Sequence, residues 1–225
     1  MRRQWVHVVV PFTPSQVMQA VQQDPNRLKA ILRAQPELAK AQVGGMSALM
    51  LAAYTRKKEA VAALLEKGAL ASLHEAAVLD DPPFTKSYLA AHPEAKESYS
   101  SDGFTAVHLA AHFGSKATLQ VLLEAGCKVD PFGTNPMANT PLHAAAAGNQ
   151  ATTTRFLLER GHPIDARDAG GNTALMVAAA NGSAEVAQAL LDGGASREAT
   201  NREGKTAQQL ADERGQKAVL RLLQA

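Results

Sequence analysis

The sequence predicts an all-α solenoid, a stack of short helix-turn-helix units. Three observations carry this. A block led by Ser or Thr recurs as "SALMLAAYTR" from Ser47, "TAVHLAAHFG" from Thr105, "TPLHAAAAGN" from Thr140, "TALMVAAANG" from Thr173 and "TAQQLADERG" from Thr206, the last three starting 33 residues apart. A second apolar block follows each: "VAALLEKGA" (61–69), "LQVLLEAGC" (119–127), "TRFLLERGH" (154–162), "AQALLDGGA" (187–195) and "VLRLLQA" (219–225). Hydrophobic residues make up 46% of the chain but aromatics only 4%, so alanine dominates the apolar set and favours closely packed helices. A fixed period of this length marks units that bury their apolar faces only by stacking on neighbours.

The units run at about 12–43, 44–69, 70–101, 102–134, 135–167, 168–200 and 201–225, with 1–11 as an N-terminal extension, all in one domain over 1–225. Each first helix opens at a Ser or Thr whose oxygen can cap a free backbone N–H. It runs through Leu-x-x-Ala-Ala and stops near Gly or Asn, which suit a left-handed cap. Each second helix carries a Leu pair and ends at Gly. Helices of about ten residues are marginal alone in water. Units one and three are degenerate: "VMQAVQQDPNRLKAILRAQPE" (17–37) and "SLHEAAVLDDPPFTKSYLAAHPE" (72–94) share Ala, Asp-Pro and Pro-Glu at a constant offset of 57. The first and last units are expected caps. Gln208, Gln209, Asp212, Glu213, Lys217 and Arg221 give the last one a polar outer face.

The period, "TPLHAAA" at 140–146 and the recurring Leu-Leu-x-x-Gly resemble the ankyrin repeat family, over nearly the whole chain. The resemblance implies short β-hairpin fingers between units and a concave face, lined by fingers and first helices, that binds another protein. It also implies that the His of the motif and the Thr three residues earlier fix the turn into the helix. Spacing then makes two demands. About twelve residues normally separate the Gly ending a second helix from the next Thr, but only three separate Gly68 from Ala71. No finger fits there, which leaves a notch beside Tyr54. Thr105 and Thr140 lie 35 apart, so the finger "DPFGTNPMAN" (130–139) should project further than its neighbours.

Chemistry is argued against by the repeat itself. His74, His108 and His143 share one slot, which sister units fill with Met50, Met176 and Gln209. A repeated base or ligand would not be replaced by methionine. "HLAAH" (108–112) has the histidine spacing of a zinc helix but puts Leu109 where the glutamate belongs. Cys127 replaces Ala69 and Ala195 of sister units, as a small buried filler. Paired glycines lack a phosphate loop's strand and spacing, "DARDAGG" (165–171) has Arg167 and Ala169 at calcium-ligand positions, and Asp80-Asp81 reads as a helix-flanking turn. The chain is therefore expected to be no enzyme and to hold no cofactor or metal.

Net charge is +2, too balanced for a nucleic-acid partner, although residues 1–69 carry +6 and the remainder −4. "MRRQWVHVVVPF" has a short apolar run broken by His7 and no small-residue cleavage site, so it is not expected to be a signal peptide. No stretch approaches the roughly 20 apolar residues of a membrane span. One cysteine excludes an intramolecular disulfide and fits a reducing compartment. A cytoplasmic monomer is expected.

Function should reside where the units differ: in the fingers, and seven and eight residues after the Thr. Those positions give Tyr54, Phe104, His112, Phe113, Met137, Asn139, Asn172 and Asn181 as candidate protein-binding residues. Two other readings remain at this point. One is a subunit that stabilises or regulates a neighbouring enzyme; the other is a metal-binding or catalytic protein using concave-face histidines.

Overall fold

A computed structural model describes residues 11–70 and 72–224, which form two compact units divided between Ala71 and Ser72. All of the expected extension but Pro11 lies outside the described residues, as do Ala71 and the last residue, Ala225.

In the first unit, α1 (Pro14–Gln23) pairs with α2 (Pro25–Ala34), and α3 (Ala48–Tyr54) with α4 (Lys58–Glu66). Prolines open α1 and α2, where a missing N–H costs nothing. Thr13 and Gln16 cap α1 reciprocally, and the Asp24 carboxylate takes the N–H groups of Asn26 and Arg27. Val17, Val21, Leu28, Ile31, Leu49 and Leu64 bury their side chains between these helices. Strands β1 (Gln42–Val43) and β2 (Met46–Ser47) pair antiparallel through Gly44 and Gly45, whose φ of 59° and 82° give the primed turn that matches strand twist.

The second unit has α5 (Leu73–Leu79), α6 (Pro82–Ala91), α7 (Ala106–Phe113), α8 (Lys116–Glu124), α9 (Pro141–Ala147), α10 (Ala151–Glu159), α11 (Ala174–Asn181), α12 (Ala184–Asp192), α13 (Ala207–Glu213) and α14 (Lys217–Gln224). The odd-numbered helices stack as one layer and the even-numbered as another. Buried alanines such as Ala110, Ala145 and Ala179 let the first layer close up, and leucines such as Leu119, Leu157 and Leu190 fill the space between layers. Outward-facing Gln208, Gln209, Asp212, Glu213, Lys217 and Arg221 are all exposed.

The repeat register is written in backbone angles. Nine residues after each Ser, Thr or their equivalent stands a left-handed residue: Arg56, Asp80, Gly114, Asn149, Gly182 and Gly215, with φ between 54° and 77°. Asp80 stands nine residues after Ala71, the residue that the sequence aligns with the Thr slot. Its turn carries the Asp80 carboxylate to the N–H of Thr118, 2.8 Å away in the first turn of α8. Asp81 separately caps α6 by accepting the N–H of Phe84. The paired aspartates thus serve two helices.

The expected hairpin is present in the first unit as β1 and β2, and the fingers of the second unit take another form. Among the described residues of the second unit they are turns, not strands. Each closes by a bond from the first N–H to a carbonyl four residues on: Ser100 to Phe104 at 2.8 Å, Asp168 to Asn172 at 3.0 Å and Asn201 to Lys205 at 3.0 Å. Ser100, Asp168 and Asn201 then take further N–H groups with their side chains, which removes the donors a strand ladder would use. The finger predicted to be long closes from Gly133 to Asn139, two residues more than its sisters. One backbone bond joins each finger to the next: Thr134 to Gly103, Ala169 to Met137 and Arg202 to Gly170. Between α4 and α5 no described residue is a strand, as the short interval requires.

Candidate functional site

His108 and His143 are buried at 1% and 2% exposure, too deep to meet a substrate. His108 Nδ1 lies 2.9 Å from Thr105 Oγ1 and 3.3 Å from the Thr105 N, while its Nε2 is 2.9 Å from the Asn139 carbonyl oxygen. His143 repeats the pattern with Thr140 at 2.8 and 3.2 Å and Asn172 O at 2.8 Å. Each ring ties a helix start to the following finger. Burial pushes the His108 imidazole down to about 4 and lowers His143 as well. Met176 and Gln209 fill the same slot in the Thr173 and Thr206 caps.

His74 departs from its sisters. Without a hydroxyl at Ala71 the cap slides one residue, and Ser72 with Glu75 forms the capping box. The His74 Nε2 still reaches the next finger, 3.3 Å from the Ser98 carbonyl. The two histidines of "HLAAH" are both engaged by backbone, His112 Nδ1 lying 3.3 Å from the Ala144 carbonyl. Cys127 is 6% exposed, and burial pushes its thiol up to about 11, far from a thiolate nucleophile.

Removing the His143 ring leaves the Thr140 N–H and the Asn172 carbonyl without their partner. His143→Ala is expected to cost at least ~1 kcal/mol. Thermal unfolding run beside a binding assay checks this. A variant of unchanged melting temperature that has lost binding would contradict the structural role.

The eight predicted binding positions divide between the units. Tyr54 ends α3 in the first unit and is half-buried. The other seven belong to the second. The Phe104 ring lies 5.6 Å from that of His108, so this aromatic packs on the buried network. His112 and Phe113, at the end of α7, are half-buried and meet edge to face at 5.1 Å. Met137 stands at the tip of the long finger with 58% of its surface exposed. Asn139 lends its carbonyl to His108, and its buried Oδ1 has no hydrogen-bond partner. Asn172 is occupied by structure: its amide nitrogen bonds Asp168 and its oxygen accepts from Asn201. Asn181 is exposed at the end of α11. It and Asn172 line a cleft of about 400 Å³ together with Asn201, Lys205 and Arg214. There Lys205 is held between Glu203 at 3.3 Å and Glu213 at 2.9 Å.

Two exposed aromatics escaped the sequence reading. Phe132 and Tyr99 are 51% and 41% exposed, and the Tyr99 hydroxyl donates to the Phe132 carbonyl at 3.1 Å. Both precede the finger tips, outside the positions taken as variable. The signal was an aromatic on each of two consecutive connections, 33 residues apart.

Among the described residues, no group of three or more His, Cys, Asp or Glu is placed to hold a metal ion, and no helix is long and apolar enough to cross a membrane. Compared with known proteins, residues 73–168 and 152–225 match the family model of ankyrin repeats in three copies. Inversin of Gallus gallus is 35% identical over 75 residues, which is 33% of this chain and 7% of that protein. Inversin of Danio rerio is 36% identical over 77 residues, 34% of this chain and 8% of that protein. Each match covers less than a tenth of the curated relative's length. Such repeats are generally protein-protein interaction modules and typically non-catalytic. With the family model matched from residue 73 to residue 225 and the Thr–His networks in place, the chain belongs to the ankyrin repeat family.

Proposed function

We propose that the chain is a non-catalytic, monomeric, cytoplasmic module that binds a partner protein on the concave side of its second unit, where the α7 end and the long finger present their side chains. The observation that carries this is the apolar surface there: Met137 is the most exposed large hydrophobic residue described, on a finger two residues longer than its sisters. A thioether adapts to irregular surfaces, and aromatics are the usual anchors of interface energy. His112 and Phe113 supply such a pair, and Asn139 and Asn181 supply polar contacts at its edge. Asn172 is already bonded within its finger, and Phe104 serves chiefly by holding His108. The cytoplasmic reading rests on the sequence's single cysteine, which can form no disulfide within the chain.

Phe113→Ala should weaken partner binding by on the order of 2 kcal/mol, about thirtyfold, with the fold intact. Arg214→Ala at the polar end should mainly change association rate and salt dependence. Pull-down from the native host, followed by titration of the captured partner against both variants, tests the placement. Loss of binding in the arginine variant alone would move the site to the cleft beside α13.

A further inference from the structure

His108, His143 and His162 are three buried rings of the second unit whose positive charges would repel one another, and their ability to titrate plays no part in turn-fixing or partner contact. Their protons are fixed by their neighbours. The Thr105 backbone N–H can only donate and meets His108 Nδ1, so that nitrogen is an acceptor and takes the Thr105 hydroxyl proton as well. Nδ1 therefore carries no proton, and Nε2–H donates to the Asn139 carbonyl. His143 is fixed the same way by Thr140 and Asn172. His162, 4% exposed, donates Nδ1–H to the Pro163 carbonyl at 2.9 Å, and its buried Nε2 has no hydrogen-bond partner.

A second proton has nowhere to go. On Nδ1 of His108 or His143 it would face two donors. On Nε2 of His162 it would create a buried cation whose new N–H has no acceptor. The charged groups facing these rings are Asp130 toward His162 and Asp168 toward His143. The Asp168 carboxylate is already taken by the N–H groups of Gly170 and Asn172.

We propose that these three histidines form an acid-operated latch on the fingers at 130–139 and 163–172, closed while the rings are neutral and released when they gain protons. The Nε2–H bonds end on the carbonyls of Asn139 and Asn172, the last finger residues before Thr140 and Thr173, so losing them frees the base of each finger. Burial pushes His108 and His162 down to about 4, whereas a released ring titrates near 6.5. Between those values the open form takes up protons and the closed form does not. The latch is thus at full strength above about pH 6.5, weakens as pH falls and has lost this contribution near pH 4. Opening becomes about tenfold easier per pH unit for each ring released. On the proposed reading that Met137 touches the partner, acid would free that contact; the latch itself does not depend on this.

Hydrogen exchange of the full chain without any partner, corrected for intrinsic exchange, tests the latch alone. From pH 6 to pH 5, protection over 133–172 should fall about fiftyfold or more, as two or three rings are released. Protection over α13 and α14 should change less than tenfold, because Gln209 fills the histidine slot there and meets the Thr206 N–H at 2.8 Å. The same glutamine makes His108→Gln with His143→Gln the matched variant, in which the fall should shrink to about tenfold. His162→Ala, using the residue found at Ala69 and Ala195, should remove one factor of ten by itself. An unchanged pH response in either variant, or an equal loss of protection in α13 and α14, would overturn the latch.

Discussion

Truncating Leu157 to Ala is expected to lower the free energy of unfolding of the second unit by ~2–5 kcal/mol, and Leu122→Ala by a similar amount. Both side chains are fully buried. Leu157 lies in α10, which packs on α8 and α12, and Leu122 in α8, which packs on α6 and α10. A methyl-lined void there removes contacts within a unit and at its interfaces, and in stacked repeats both enter the sum. Side chains held from several sides cannot relax into the space, so the cavity cost adds to the transfer cost. Leu223 provides the contrast. It is 6% exposed in the terminal helix α14, whose neighbour in its layer is α12. Leu223→Ala should therefore cost about 2 kcal/mol or less. Urea unfolding of the three variants decides the matter: a terminal cost as large as the central ones would show that interfaces between units contribute little.

The fold was legible because ankyrin units repeat their caps as well as their apolar residues. The Thr slots, the left-handed Gly114, Asn149, Gly182 and Gly215 and the extra length at 130–139 follow from alignment of the chain with itself, whereas the left-handed Arg56 and Asp80 do not. The hairpins were not legible in the same way. Whether a finger pairs as strands depends on which side chains capture its N–H groups, and Asp168 and Asn201 do so at positions where alignment shows only polar residues. The slide of the α5 cap onto Ser72 and Glu75 was hidden for a related reason. His74 matches the motif, but the hydroxyl that would hold it is missing.

The candidate site was legible in position more than in role. His112, Phe113, Met137 and Asn181 stand at variable positions and keep surface to offer. Phe104 and Asn172 stand at equally variable positions, yet one leans on a buried imidazole and the other closes a turn. A residue can vary between units because it meets a partner or because it fits a local exception, and sequence spacing does not separate these. Only the hydrogen-bond partners do.

Gly148 supplies the second large effect, and here two physical terms oppose one another. Its backbone, at φ −80° and ψ −3°, is ordinary helical geometry. Propensity alone would therefore make Gly148→Ala stabilising by up to about 1 kcal/mol. A methyl group at this position, however, would lie 2.0 Å from the carbonyl oxygen of His112 and 2.9 Å from its carbonyl carbon. Those atoms are backbone of α7, so no rotamer change relieves the clash, and α7 and α9 would have to move apart. The separation would also strain the contact between the His112 ring and the Ala144 carbonyl. Overpacking of this kind costs typically 1–3 kcal/mol, which outweighs the propensity gain. Gly193 is the matched control, with φ −78° and ψ −6°. A methyl there meets the ends of the Ile164 and Leu158 side chains at 3.0 Å, which can give way. Gly193→Ala should stay within about 0.5 kcal/mol of the parent, as substitutions that create no new strain usually do. Thermal and urea unfolding of the two alanine variants separates the terms: if both behave alike, the close approach of α9 to α7 does not limit stability.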